Sequence, residues 1–222
     1  MSKIVSKEFF SENVVKLEVE APLIARSRKA GHFVIVRVDA NGERIPLTIA
    51  DSDTEKGTIT LVIQKIGASS TKITNLNVGD ELLDVVGPLG KATHIEKFGT
   101  VVCSGGGVGV APLLPIIKAM KAAGNKVISV LAARTKDLVI LEEQVREYSD
   151  EVVIMTDDGS YGKAGRVTDG IEEIAKREKI DLCVTIGPAI MMKFVSLLTK
   201  KYDIPTVASL NTIMVDGTGM CG

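Results

Sequence analysis

Cysteine is scarce in this chain of 222 residues: Cys103, Cys183 and Cys221 are odd in number and far apart. None lies in a C-x-x-C pair, so no disulfide framework is expected and a reducing compartment is the default. Histidine is scarcer, with only His32 and His94, which argues against a histidine-based mechanism. No Ser–His–Asp arrangement, metal-ligand cluster or carboxylate pair suggests a reaction of those kinds. Long apolar runs are missing, and none approaches the ~18–20 residues of a membrane span. The opening MSKIVSKEFF lacks the apolar core of a signal peptide. Charge of one sign is missing too: 27 basic residues face 28 acidic ones, so no broad basic surface points to nucleic acid or anionic lipid. A soluble cytoplasmic protein is the expectation.

What is present divides into two rhythms. Up to about residue 95 the chain alternates apolar and polar, with turn residues roughly every ten positions. KIVSKEFF, VVKLEVEA, HFVIVRVD, RIPLTIAD, TITLVIQKI and ELLDVVGP read as strands. ANGE, DSDTEKG and NVGD read as turns, and SSTKITNL reads as a short helix. The pattern predicts a small antiparallel barrel. From about Phe98 strands and helices alternate strictly, starting with TVVCSG and then VAPLLPIIKAMKAAG, which stops at Gly124. The later helices expected are LVILEEQVREYS, VTDGIEEIAKREK and PAIMMKFVSLLTKKY. Such alternation predicts a parallel sheet covered by helices on both faces, a Rossmann-like α/β domain. The expected domains are 1–95, 96–210 and a short terminal segment 211–222.

The segment CSGGGVGVAP joins the first strand of the second half to its helix. Glycines allow a sharp turn and close approach of a ligand, and a helix start offers free N–H groups to a phosphate. Gly105, Gly106, Gly107, Val108, Gly109 and Val110 therefore form a candidate nucleotide turn. Pro112 suits the first helical turn. The strict G-x-G-x-x-G fingerprint is not met, because Pro112 stands at its third glycine and Arg134 stands near the place of the ribose-binding acid. A nucleotide site of another lineage is expected.

A barrel followed by GGGVGVAP in an α/β domain resembles the ferredoxin–NAD(P) reductase superfamily, and the resemblance covers nearly the whole chain. It implies an N-terminal FAD barrel and a C-terminal nicotinamide domain. RIPLT resembles the family's flavin motif in the form found in electron-transfer subunits of dihydroorotate dehydrogenases. By that resemblance Arg44 faces the flavin diphosphate, Pro46 and Leu47 occupy the motif's middle, and Thr48 offers a hydroxyl near the reacting ring nitrogen. IQKIGASST resembles the second flavin segment, with Ile63, Gln64 and Lys65 along the ring and ribityl chain. Ser69, Ser70 and Thr71 begin a helix where caps and free amides can hold a diphosphate. AARTKD and TDDGSYG, carrying Arg134 and Asp157, resemble loops that close over the nucleotide. TIGPAIMM resembles the C-G-P-x-x-M turn, with Gly187 and Pro188 at its Gly-Pro and Ile186 in place of the cysteine. Met191 and Met192 read as helix packing, and His32 as a satisfied structural histidine.

The chain closes on DGTGMCG, which resembles the start of a 2Fe–2S loop, C-G-x-G-x-C. Cys221 stands at the second cysteine and Asp216 at the first. One thiolate and one carboxylate do not hold such a cluster, so none is expected in these 222 residues, and a 2Fe–2S centre only in a longer form. The segment is most similar to the small subunit of NADH-dependent ferredoxin–NADP oxidoreductases.

The resemblance implies a flavoprotein electron-transfer subunit that passes hydride between NAD(P)H and FAD and electrons to a larger partner subunit, with ferredoxin as another possible partner. An electron-transfer subunit of dihydroorotate dehydrogenase or of a hydrogenase, and a stand-alone ferredoxin reductase, are alternatives. The choice between NAD and NADP stays open at Arg134.

Overall fold

The computed structural model describes residues 1–211 and 214. Two compact units divide the chain, one from Met1 to Thr93 and one from His94 to Leu210.

In the first unit, β1 (Ser2–Ser11), β2 (Val14–Glu20), β3 (Phe33–Arg37), β4 (Ile45–Asp53) and β5 (Thr58–Gln64) follow the alternating pattern. Side chains two apart share a face, so Val15, Leu17 and Val19 of β2 meet Ile59, Leu61 and Ile63 of β5 and Val34 and Val36 of β3 in one core. Two features depart from the sequence expectation. A six-residue helix, α1 (Pro22–Ser27), follows β2, started by Pro22 and burying Ile24 and Ala25. And ELLDVVGP is not one strand. It splits at Leu83 into β6 (Glu81–Leu82), which pairs with β1, and β7 (Asp84–Leu89), which pairs with β3. All neighbours in the order β6-β1-β2-β5-β4-β3-β7 are antiparallel, and its two ends are consecutive in the chain. The sheet thus bends back on itself as a near-barrel. Helix α2 (Ala68–Asn75) follows β5.

The second unit carries β8 (Thr100–Gly106), α3 (Val110–Ala122), β9 (Lys126–Ala133), α4 (Glu142–Glu147), β10 (Glu151–Thr156), β11 (Lys163–Ala164), α5 (Val167–Arg177), β12 (Leu182–Ile186), α6 (Ala189–Lys201) and β13 (Thr206–Ala208). The sheet is parallel throughout, in the order β11-β10-β9-β8-β12-β13. Its helices cover both faces. A side chain at Gly105 would meet Leu113 and Val110 of α3, whereas Gly106, the next residue, faces Met191 of α6. Helix α4 is shorter than expected. Lys136–Leu138 forms a tight turn and Leu141 takes φ +58, so the helix begins only at Glu142.

Entry into this unit is fastened by Asn125, which is 4% exposed. Its side-chain oxygen accepts the N–H groups of Phe98 and Gly99, and its amide donates to the carbonyls of Glu96 and Met120. Gly124 takes φ +81 at the end of α3, the left-handed conformation that closes a helix. No described helix is long and apolar enough to cross a membrane.

Candidate functional site

Open parallel sheets bind ligands beyond the carboxyl ends of their strands, where the connections diverge to opposite sides. Here that point lies between β8 and β12. The chain leaves β8 toward β9 on one side, and β12 takes the place beside β8 on the other. The glycine turn sits there. Gly105 and Gly106 are buried at the end of β8, Gly107–Gly109 forms one tight 3-10 turn, and Val110 begins α3 with Pro112 in its first turn. Gly107 takes φ +54, and a side chain there would meet nothing within 4 Å. Gly109 is the reverse. A Cβ on it would lie 2.5 Å from the Ile186 carbonyl oxygen and 2.8 Å from Cα of Gly187. The turn is thus pressed against the Gly187–Pro188 turn and open at Gly107. The first N–H groups of α3 have no partner in their own helix, so the place suits a diphosphate on charge and on room.

The other strand ends contribute to the same edge. Arg134 and Asp157, both exposed, follow β9 and β10. Their loops are stitched together: the Asp157 N–H donates to the Ala133 carbonyl, the Asp158 N–H to the Arg134 carbonyl, and the Lys136 N–H to Ser160 Oγ. Asp158 accepts both the hydroxyl and the N–H of Ser160, and these bonds hold its carboxyl below the usual range. Lys136 lies over the ring of Tyr161. Sequence reasoning singled out Arg134 and Asp157 but not Lys136, Asp158 or Ser160. The quoted AARTKD and TDDGSYG held the signal, as polar runs at two strand ends.

In the barrel, Arg44, Pro46 and Thr48 alternate with Ile45 and Leu47 along the start of β4. Ile45 and Leu47 pack on the core, and Arg44 and Pro46 are exposed. Thr48 pairs with Phe33 in the ladder to β3. The Arg44 side chain is 41% exposed and lies 3.7 Å from Asp84, whose carboxylate also takes a 2.6 Å bond from Arg37. Asp84 thus pairs with both arginines, more closely with Arg37. Its role is the residue that sequence reasoning did not anticipate, since it comes from β7 at the far end of the strand order.

The second flavin segment divides in the same way. Ile63 is 1% exposed inside the core, while Gln64 and Lys65 point outward. Strand geometry forbids all three side chains from lining one surface. At the start of α2, Ser70 Oγ accepts the N–H groups of Ile66 and Gly67 at 3.0 Å each. Ser69 donates to Glu43, and the Thr71 N–H donates to the Gly67 carbonyl. A side chain on Gly67 would meet nothing within 4 Å. Gly67, just before α2, borders open space, close in sequence to the exposed Gln64 and Lys65. Both helix starts fit an anionic group, which is what FAD and a nicotinamide nucleotide carry.

The remaining candidates are quiet. His32 precedes β3 and accepts the Lys29 N–H at Nδ1, and burial, with Lys29 and Arg28 nearby, lowers its pKa from the ordinary value. Cys103 and Cys183 are free and buried. Burial pushes the Cys183 thiol up to about 12 and the Cys103 thiol higher, so neither is a thiolate. Among the described residues no group of His, Cys, Asp and Glu could hold a metal. Asp216 and Cys221 lie outside the described residues.

Comparison with known proteins decides the lineage. An oxidoreductase FAD-binding domain matches residues 1–94 and an oxidoreductase NAD-binding domain matches residues 104–197. A dihydroorotate dehydrogenase B (NAD(+)) electron transfer subunit homolog from Thermotoga maritima is 45% identical over 222 residues, covering 100% of this chain and 78% of its own. The chain belongs to the ferredoxin reductase-like FAD/NAD oxidoreductases. Within this family, the electron transfer subunit of dihydroorotate dehydrogenase B from Bacillus caldolyticus is 33% identical, covering 98% of this chain and 85% of its own. A solved structure of an NADH-dependent reduced ferredoxin–NADP oxidoreductase, reported for flavin-based electron bifurcation, superposes with a TM-score of 0.94 at 42% identity. It covers all of this chain and 80% of the other. The cytochrome b5 reductase domain of Ulva prolifera nitrate reductase shares the fold at 17% identity and a TM-score of 0.74, covering 94% of this chain and 96% of its own.

Proposed function

We propose that this chain is the flavin- and nicotinamide-binding electron-transfer subunit of a larger oxidoreductase. The observation that carries the reading is the pair of open helix starts, one in a FAD-family barrel and one at the divergence of a NAD-family sheet. A bound flavin supplies the chemistry, taking two electrons as hydride from a nicotinamide and releasing them singly. The chain supplies position and charge. Arg44, which neighbours Asp84, pairs with the flavin diphosphate beside the α2 amides. Pro46 and Thr48 would flank the ring, and the Thr48 hydroxyl would offer a hydrogen bond to its reacting nitrogen. Gln64 and Lys65 contact the polar side chain of the flavin, and Thr71 its diphosphate. Gly105 to Val110 receive the nicotinamide nucleotide's diphosphate, Gly187 and Pro188 border its nicotinamide, and Arg134 and Asp157 its adenosine half.

Relatives named as electron-transfer subunits support a larger partner subunit, and their NAD(+) designation favours NADH over NADPH. The proposal extends to a 2Fe–2S centre in a longer form of the chain, with Asp216 and Cys221 among its ligands, and to ferredoxin as an acceptor.

The test is an anaerobic absorbance titration of the FAD-loaded chain with NADH and NADPH in parallel. Bleaching of the flavin band at lower NADH than NADPH is expected. A flavin spectrum indifferent to both overturns the reading. Arg44→Ala is expected to weaken FAD binding about ten- to a hundredfold, with Arg44→Lys between, because lysine cannot reproduce the guanidinium fork.

A further inference from the structure

Two methionines begin α6 side by side, and they face different surroundings. Met192 is 6% exposed. Met191 is partly exposed and lies on the ends of two strands. A side chain on Gly106 would collide with its sulfur. One on Gly187 would lie 2.7 Å from its Cε and 3.0 Å from its sulfur. Gly106 ends β8 and Gly187 follows β12, and these strands pair as far as Gly105 opposite Ile186, one residue before each glycine. The Met191 thioether therefore occupies the space left by two missing side chains, one on each glycine turn.

The two turns also touch directly. A Cβ on Gly187 would lie 3.2 Å from the Gly106 nitrogen, and one on Gly109 would press on Ile186 and Gly187. Main chain meets main chain here. A wedge is what fixes such a junction, and a thioether suits it. It is unbranched, polarizable and able to follow an irregular gap. Met191 is also the third residue of α6, so it ties the first turn of that helix back to the end of β8.

We infer that Met191 is a positioning residue for the nicotinamide nucleotide. Its sulfur sets the spacing between the Gly106–Val110 turn and the Gly187–Pro188 turn, and so holds the α3 amides where a diphosphate meets them. The inference rests on the proposed nucleotide site. It gives Met191 a task that Met192 does not share.

The experiment uses the full FAD-loaded chain and the variants Met191→Ala, Met191→Leu and Met192→Ala. NAD(+) affinity is measured by calorimetry, NADH-driven flavin reduction by anaerobic rapid mixing, and stability by thermal unfolding without nucleotide. Met191→Ala is expected to raise the Kd for NAD(+) about tenfold. The apparent Kd in the reduction experiment rises with it, while the limiting rate stays within about twofold. Met191→Leu, which keeps the volume, recovers most of the affinity. Met192→Ala lowers the unfolding temperature and leaves affinity within about twofold, since Met192 is buried and the side chain that Gly106 and Gly187 face is that of Met191. Equal losses of stability in the two alanine variants, with nucleotide affinity unchanged in both, overturn the assignment. If Met191→Ala does not fold, Met191→Val, which shortens the side chain without emptying the site, takes its place: a Kd equal to wild type together with a lowered unfolding temperature marks packing only and overturns it. A wild-type chain that binds neither NAD(+) nor NADH overturns the nucleotide site itself, and is distinguished by appearing before any substitution.

Discussion

Helix α2 of the barrel starts in the open, and helix α3 of the parallel unit starts in a crevice of backbone. The α2 start is built by side chains: Ser70 ties down the amides of Ile66 and Gly67, and Ser69 holds Glu43. The α3 start is built by the lack of them. Gly106 and Gly109 admit Met191 and Ile186 so closely that no Cβ fits. Both present free N–H groups to an anion, but they tolerate change differently. Side chains at a loop can rearrange, whereas a glycine pressed on main chain has nowhere to move.

The largest effect expected from this contrast is at Gly109. Gly109→Ala should destabilise the second unit by about 1–3 kcal/mol, the usual cost of overpacking, and abolish measurable nucleotide binding. Thermal unfolding and NAD(+) calorimetry check both. Unchanged binding would show the turn to be adaptable after all.

Acid should separate the units next. In the second unit Asp150, Glu172, Glu173, Glu178 and Asp181 are all held below their ordinary range by hydrogen bonds to lysine, tyrosine or backbone partners. In the barrel the lowered carboxyls are Asp39 and Asp53. A carboxylate lowered on folding contributes stability above its unfolded pKa, and that contribution is lost as pH falls through the folded value. Below about pH 4, hydrogen exchange corrected for its intrinsic rate should therefore accelerate more across residues 94–210 than across 1–93. Equal acceleration would erase the distinction.

The smallest effect is expected at Gly67. It has φ −129, ordinary for any residue, and open space around it. Gly67→Ala should leave stability within about 0.5 kcal/mol of wild type, yet lower FAD affinity measurably, because the added methyl stands where the diphosphate approaches. A stability loss as large as that of Gly109→Ala would make the two helix starts alike.

Legibility in the sequence follows range. The spacing of apolar residues is local, and it located β1 to β5, α3, α5 and α6 and the two-part architecture. The same spacing misread Leu138–Ser149 as one helix, because the left-handed turn at Leu141 leaves no trace in periodicity. At the candidate site, glycine density and hydroxyl-rich helix starts were visible as motifs. The burial of Ile63 and Leu47 was a matter of which alternate face meets the core, and motif resemblance treats neighbouring residues as one surface.

By itself, the sequence determined that an alternating half precedes an α/β half and that a glycine turn opens the first crossover. Short-range sterics and side-chain period suffice for that. Only the tertiary structure decided that ELLDVVGP parts to opposite edges of one sheet, that Asp84 comes beside Arg44, and that Met191 lies across Gly106 and Gly187. Asp84 with Arg44 and Met191 with Gly106 are pairings 40 and 85 positions apart, and contacts at such distance follow from the whole packing of the chain, which no local window of residues contains.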